Sequence, residues 1–164
     1  MAISDEQRIL ETEDGLKYFA PEREAAWLGL LRAHAALTRG LDAELAARHG
    51  IGLSAYELLS RLARAPDGAL RMSHLAEQTE LSLSRVSRLM DQLETRTLVE
   101  RRACASDSRV TYATLLPAGR ELVRAAQDTF FTVVDERFLG RLSCPEVELL
   151  GSLLDRLVAR KPGE

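Results

Sequence analysis

The sequence predicts a mainly α-helical fold carrying one small β-hairpin, and three observations predict it. Apolar residues recur at helical spacing from Glu22 to His49, two short helical patterns meet across a tight turn at Leu81-Ser82, and two strand-like stretches flank Ala103 to Ser108. At 164 residues the chain falls within the span of one domain, and a chain of that size buries roughly 70% of the surface its unfolded form exposes.

Taken in order, residues 1–20 mix charge with few apolar positions, are punctuated by Gly15 and Pro21, and read as a flexible arm or a short accessory helix. From Glu22 a stripe of Trp27, Leu30, Leu31, His34, Leu37, Leu41 and Leu45 marks a long amphipathic helix that Gly50 ends. Ser54 and Glu57 have the spacing of a capping box, Leu53 can staple onto Leu58, and that second helix stops before Pro66. Ser73 can cap a short helix holding Leu75 and Ala76, and Leu81-Ser82 opens another that runs to about Thr95. Leu98 to Arg102 and Arg109 to Leu115 then read as the two strands of a hairpin. Pro117 begins a long helix with Leu122, Val123, Phe130, Val133, Val134 and Phe138, which Gly140 stops. A second capping box, Ser143 with Glu146, starts the last helix, where Leu142 can staple Val147 and Leu150, Leu153, Leu154 and Leu157 carry the stripe until it fades at Lys161-Pro162-Gly163.

That order makes 53–116 a winged helix-turn-helix lobe, flanked by helical regions at 22–50 and 117–164 within one integrated domain. Neither flanking region has enough neighbours to cover its own apolar stripe, so both are expected to pair two copies of the chain as a homodimer.

Composition excludes several alternatives. The 22 basic and 25 acidic residues leave a net charge of -3, so a nucleic-acid partner requires local rather than global positive charge. No apolar run approaches the ~20 residues that span a bilayer, and the acidic start lacks the pattern of a secretory signal, which predicts a cytoplasmic protein with no membrane partner. Cys104 and Cys144 are too few for a disulfide framework and read as reduced thiols. His34, His49 and His74 are scattered, so neither a metal nor a cofactor is expected. The absence of a GxSxG elbow, a Gly-rich phosphate loop or a paired His/acid motif argues against an enzyme.

The positive charge gathers in two places. Between Ser82 and Met90, Val86, Leu89 and Met90 share one helix face while Ser84, Arg85, Ser87 and Arg88 share the other, which carries no acid. Arginine can bond guanine O6 and N7 together, and serine can donate to bases or phosphates in a major groove wide enough to admit a helix. Around the hairpin, Arg101, Arg102 and Arg109 face only Asp107, and an arginine at a hairpin tip, here braced by Asp107, suits the negative potential of a narrow minor groove. Double-stranded DNA is the expected partner. The competing reading is a helical dimeric protein-interaction module without DNA affinity, in which Arg85 and Arg88 are simply solvated.

From Trp27 onward the chain resembles MarR-type winged-helix regulators, in the run Leu75-Ala76-Glu77, Leu81-Ser82, Arg88-Leu89-Met90-Asp91-Gln92-Leu93-Glu94, Leu98-Val99-Glu100-Arg101-Arg102, Asp107-Ser108-Arg109 and Pro117-Ala118-Gly119-Arg120. The resemblance implies a homodimeric transcriptional regulator, a repressor, on a pseudo-palindromic operator, with the helix from Ser82 in the major groove and Arg109 in the minor groove. It also implies release by a small aromatic or phenolic anion. Trp27, His34 and Tyr56 combine aromatic walls with polar tips and are the candidates for lining such a pocket, the competing reading being core or dimer packing. Three departures stand out: Thr97 occupies the place of a helix-ending glycine, Leu116 replaces the usual capping hydroxyl before Pro117, and no cysteine lies in the first long helix to sense peroxide.

Overall fold

The structure, a computed structural model, describes residues 9–104, 107 and 109–158. The chain divides into two compact units, Met1–Arg39 and Gly40–Glu164. In the first unit, β1 (Ile9–Glu11) and β2 (Lys17–Phe19) pair antiparallel with Ile9 opposite Phe19 and Glu11 opposite Lys17. This corrects the reading of residues 1–20 as a flexible arm or accessory helix, at least for 9–19; residues 1–8 lie outside the described residues. The hairpin forms because Thr12 closes its turn twice, its N–H donating to Leu16 O at 2.9 Å and its hydroxyl accepting from Leu16 N at 3.0 Å, while Gly15 supplies a positive φ of 85°. Helix α1 (Pro21–His49) starts in this unit, where Trp27, Leu30 and Leu31 are exposed, and ends in the second, where Leu41 and Leu45 are buried.

The second unit continues with α2 (Leu53–Arg64), β3 (Ala69–Arg71), α3 (Met72–Gln78), α4 (Leu83–Thr95), β4 (Val99–Ala103), β5 (Thr111–Leu115), α5 (Pro117–Arg137), a 3-10 turn (Leu139–Arg141) and α6 (Cys144–Val158). The expected hairpin is β4 and β5, and a third strand that the sequence reading lacked, β3, pairs with the other side of β5. Leu45, Leu58, Leu59, Leu62, Leu75, Val86, Met90 and Val99 are fully buried between the helices and the sheet. Among the described residues, no helix is long and apolar enough to cross a membrane.

The helix ends show where local pattern suffices and where it does not. Ser82 caps α4 as expected, its Oγ accepting from Arg85 N at 3.3 Å. The capping box at Ser54 and Glu57 is corrected: α2 begins at Leu53, one residue early for Ser54 to cap, and Asp42 of α1 accepts from Leu53 N at 2.8 Å instead. Ser73 likewise lies inside α3, whose N-cap position is Arg71 without a side-chain bond. At α6, Glu146 Oε2 accepts from Ser143 N at 2.8 Å and from its hydroxyl at 2.7 Å, and these two bonds, the backbone one foremost, hold the Glu146 carboxyl below the ordinary carboxylate range. The fading of that helix at Lys161-Pro162-Gly163 lies outside the described residues. Leu116 caps α5 without a side-chain bond, and Gly119 in its first turn packs so closely that a Cβ there would stand 2.2 Å from Leu98 O.

Thr97 keeps the left-handed conformation despite its branched side chain, with φ of 56°. It sits in a Schellman motif in which Leu98 N donates to Leu93 O at 3.0 Å and Thr97 N to Glu94 O at 2.9 Å, closed by the buried contact partners Leu93 and Leu98. An L-residue held there costs about 1 to 2 kcal/mol, of which glycine returns part through its freer unfolded chain. Thr97→Gly is therefore expected to raise the unfolding free energy by about 0.5 to 1 kcal/mol in urea titration with an unchanged m-value, and a loss of stability would show that the threonine contributes a contact outweighing its strain.

Candidate nucleic-acid interface

Burial of Val86, Met90 and Leu93 against the core turns Ser84, Arg85 and Arg88 of α4 to solvent, with Ser87 half-buried beside them. No acid lies in the first turn of the helix, so its positive N-terminal end faces outward uncompensated. Ser82 and Ser84 also bond each other, Oγ to Oγ at 3.1 Å.

The strand alternation sorts the two hairpin arginines. Arg101 lies opposite Ala113 and on the face of Val99, towards the core, whereas Arg102 lies opposite Tyr112 on the other face. Arg101 accordingly reaches α4: its Nη1 pairs with Glu94 and with Asp91 at 2.9 Å, and its Nη2 donates to Ser87 O at 2.7 Å. Arg101, expected with Arg102 and Arg109 as a cation of the hairpin, has both of its terminal nitrogens engaged within the protein. Arg102 is exposed and pairs with Glu100.

The tip is built as expected. Asp107 Oδ1 accepts from Arg109 N at 3.0 Å and from Arg109 Nε at 3.3 Å, and the Arg109 side chain is 90% exposed. Ser108, between them, lies outside the described residues.

A shallow cleft of about 350 Å³ lies between the start of α4 and the hairpin. It brings together Ser87, Arg101 and Arg109 from the predicted set and adds Leu83 and Arg71, which the sequence reading missed. Arg71 ends β3 opposite Tyr112; its Nε donates to the Tyr112 hydroxyl at 3.2 Å, and its guanidinium carbon lies 5.9 Å from that ring's centre. The hydrogen bond to the Tyr112 hydroxyl holds its pKa above the ordinary value. A three-residue strand is too short to show a period, and its partner lies 41 positions away, so no local signal marked Arg71.

Arg71, Arg88 and Arg109 share one arrangement. Each spends Nε inside the protein, on Tyr112, on Ser84 O at 3.5 Å and on Asp107 respectively, and among the described residues neither Nη of any of them has a protein partner. The edge left outward is the one that grips guanine or phosphate with two parallel N–H donors.

The pocket candidates behave differently from one another. Tyr56 is buried, 4% exposed, and stacks on Phe130 with ring centres 4.9 Å apart, which makes it a core residue of the second unit. Trp27 and His34 are exposed on the part of α1 that belongs to the first unit. Behind α4, Arg96 Nη1 donates to Gly50 O at 2.7 Å and Arg85 Nη2 to Ser54 Oγ at 3.3 Å, tying the helix to the α1–α2 elbow. No group of three His, Cys, Asp or Glu among the described residues could hold a metal ion.

The sequence pattern of the MarR family matches residues 49–110, from the elbow to the hairpin. YxaD of Bacillus subtilis, an uncharacterised HTH-type transcriptional regulator, is 35% identical over 104 residues, which are 63% of this chain and 71% of that one. The chain belongs to the MarR family. Its fold superposes on Sco3205 of Streptomyces coelicolor, a MarR-family transcriptional regulator solved in complex with DNA, with a TM-score of 0.83 at 28% identity over 88% of this chain and 91% of that one. NadR, solved in complex with 4-hydroxyphenylacetate, is 25% identical with a TM-score of 0.62, covering 82% of this chain and 92% of its own. This MarR-family chain is thus a DNA-binding transcriptional regulator of the winged helix-turn-helix type and not an enzyme.

The engagement of Arg101 makes a testable distinction within the family site. Arg101→Ala is expected to lower stability by about 1 to 3 kcal/mol in urea unfolding, the range for lost hydrogen bonds to charged groups. The salt dependence of DNA binding should keep its slope, whereas an arginine on a phosphate would take about one unit of slope with it.

Proposed function

We propose that the protein is a homodimeric repressor that binds a pseudo-palindromic operator and leaves it when an aromatic or phenolic anion binds. The observation that carries the DNA half of this reading is the set of Nε-braced arginines, Arg71, Arg88 and Arg109, whose bonding edges point outward from the recognition helix and the wing. α4 then enters the major groove, where Ser84, Arg85, Ser87 and Arg88 meet base edges and phosphates and Ser82 holds the helix start. Arg109, oriented by Asp107, enters the adjacent minor groove, with Arg102 and Arg71 on flanking phosphates.

Pairing of two chains is supported by apolar surface that one chain leaves open. α6 buries none of its described residues, and Leu149, Leu153 and Leu157 are exposed along it, as Trp27, Leu30 and Leu31 are along α1. A symmetric dimer sets half-site centres about one helical turn apart, roughly 34 to 36 Å. The ligand half rests on the relative NadR and its 4-hydroxyphenylacetate. Trp27 and His34, exposed on α1, are the positions at which an aromatic acid is placed by this reading, and Tyr56 shapes the core beneath α2 rather than the ligand's wall.

Base reading and groove anchoring should fail differently. Arg88→Ala removes a two-pronged base contact, so it is expected to cost about 1 to 3 kcal/mol on the selected operator, to relax the preference at one position per half-site, and to weaken non-specific binding less. Arg109→Ala is expected to weaken binding across sequences and to reduce the salt slope by about 2 per dimer. If Arg109→Ala binds operator and random duplex as wild type does throughout a salt titration, the hairpin is not a DNA-binding wing. If wild type shows no salt-sensitive binding to any duplex, the protein-interaction module replaces this reading.

Ligand release has its own measurement. An aromatic acid such as 4-hydroxyphenylacetate or salicylate is expected to quench Trp27 fluorescence and to weaken operator affinity by a coupling of about 1 to 3 kcal/mol. Compounds of this class that change neither signal would remove the ligand from the proposal and leave the operator binding standing.

A further inference from the structure

We infer that Leu83 reads the 5-methyl group of a thymine in each half-site, an inference that rests on the DNA-binding reading above and assigns part of its sequence preference. Leu83 is the first residue of α4 after its cap Ser82, and the N-terminal residues of a recognition helix are the ones that meet base edges. It is 53% exposed. Within the lobe from 53 to 116 it is the one large apolar side chain so exposed among the described residues; the others lie at 9–31 or 131–158.

The surroundings select the occupant. Leu83 shares its cleft with Arg71, Arg109 and Ser87, and among the described residues no acid lines it, Asp107 standing beside it on Arg109. An apolar protein surface seated there would bury the outward Nη edges of Arg71 and Arg109 without partners, at a large desolvation cost. Duplex DNA meets both demands at once, because its phosphates take Arg71, its adjacent minor groove takes Arg109, and its major groove offers one apolar group on the base edges, the thymine methyl. Ser87, one turn on in the same cleft, and Ser84 and Arg88, further round the exposed side of α4, supply the polar contacts to neighbouring edges.

The test uses a chemical deletion on the DNA. After operator selection from random duplex, each thymine is replaced in turn by deoxyuridine, which lacks only the 5-methyl group. Wild type is expected to lose roughly three- to fivefold in affinity per buried methyl at one position in each half-site. Leu83→Ala is expected to bind the thymine operator as weakly as wild type binds the deoxyuridine version, and to lose nothing further on that version, while its folding and its affinity for random duplex match wild type. The inference is overturned if no position is sensitive to deoxyuridine, or if Leu83→Ala remains as sensitive as wild type. Failure of wild type to select any sequence would instead overturn the DNA-binding reading beneath it, so the two failures are separable.

Discussion

Arg101 is where the wing meets the recognition helix, and the placement of the remaining cations depends on that junction. Its two terminal nitrogens hold Asp91, Glu94 and the carbonyl of Ser87, three points on two successive turns of α4. Its backbone N–H donates to Glu94 Oε1 at 2.7 Å, so main chain and side chain fix the same strand to the same helix. Without the guanidinium, Asp91 and Glu94 would stand as two unpaired carboxylates beside a surface that must approach phosphate. The cluster therefore has an electrostatic role as well as a mechanical one, since it pairs the two acids in the later turns of α4 with a cation. Lysine could not substitute, because a single ammonium lacks the planar fork that reaches both carboxylates and a carbonyl.

The back of the recognition helix is tied down by comparably long-range bonds. Asp42 caps α2, Arg96 bonds the carbonyl of Gly50, and Arg85 bonds Ser54, so the elbow between α1 and α2 and both ends of α4 form one hydrogen-bonded assembly. The end of α1 is also fastened to α5, where His49 Nε2 and Thr129 Oγ1 lie 2.9 Å apart and give the buried Thr129 hydroxyl its partner. The end of α1 is thus joined to α4 and α5 by directional bonds as well as by packing.

How much of this was legible in the sequence depends on sequence distance. The helices α1 to α6, the cap at Ser82, the pairing of Glu146 with Ser143 and the brace from Asp107 to Arg109 rest on residues within a few positions of one another, and the β4–β5 hairpin on two strand-like stretches around a short turn, and pattern found them. The cap of α2 escaped because Asp42 lies 11 positions from Leu53, and Ser54 offered a plausible local substitute. Strand β3 and Arg71 escaped because three residues show no period. Arg101 is a different case, since the signal was present: a strand alternates, Val99 reads as core-facing, and the same face two residues on is Arg101's. The sum of charge along the hairpin hides this, because alternation divides its cations between two faces.

An acidic chain that binds an acid polymer must make each interfacial cation count, and its choice of cation shows how. Of the 22 basic residues only Lys17 and Lys161 are lysines. A lysine has one charged atom, so any bond that orients it within the protein competes with the bond it is to make outside. In the proposed interface arginine separates the two tasks: Nε is spent on Tyr112, Ser84 O or Asp107, and the two terminal nitrogens remain for DNA. Bracing removes rotamer freedom before DNA arrives, so less is lost on binding. Arg101 and Arg96 differ, since their terminal nitrogens bond α4 and the α1–α2 elbow, while Arg85 and Arg102 stand between, each giving one terminal nitrogen to Ser54 or Glu100. In the proposed interface, the nitrogen an arginine spends at home therefore grades how much of its bonding edge is left for DNA, which a local sum of charge does not.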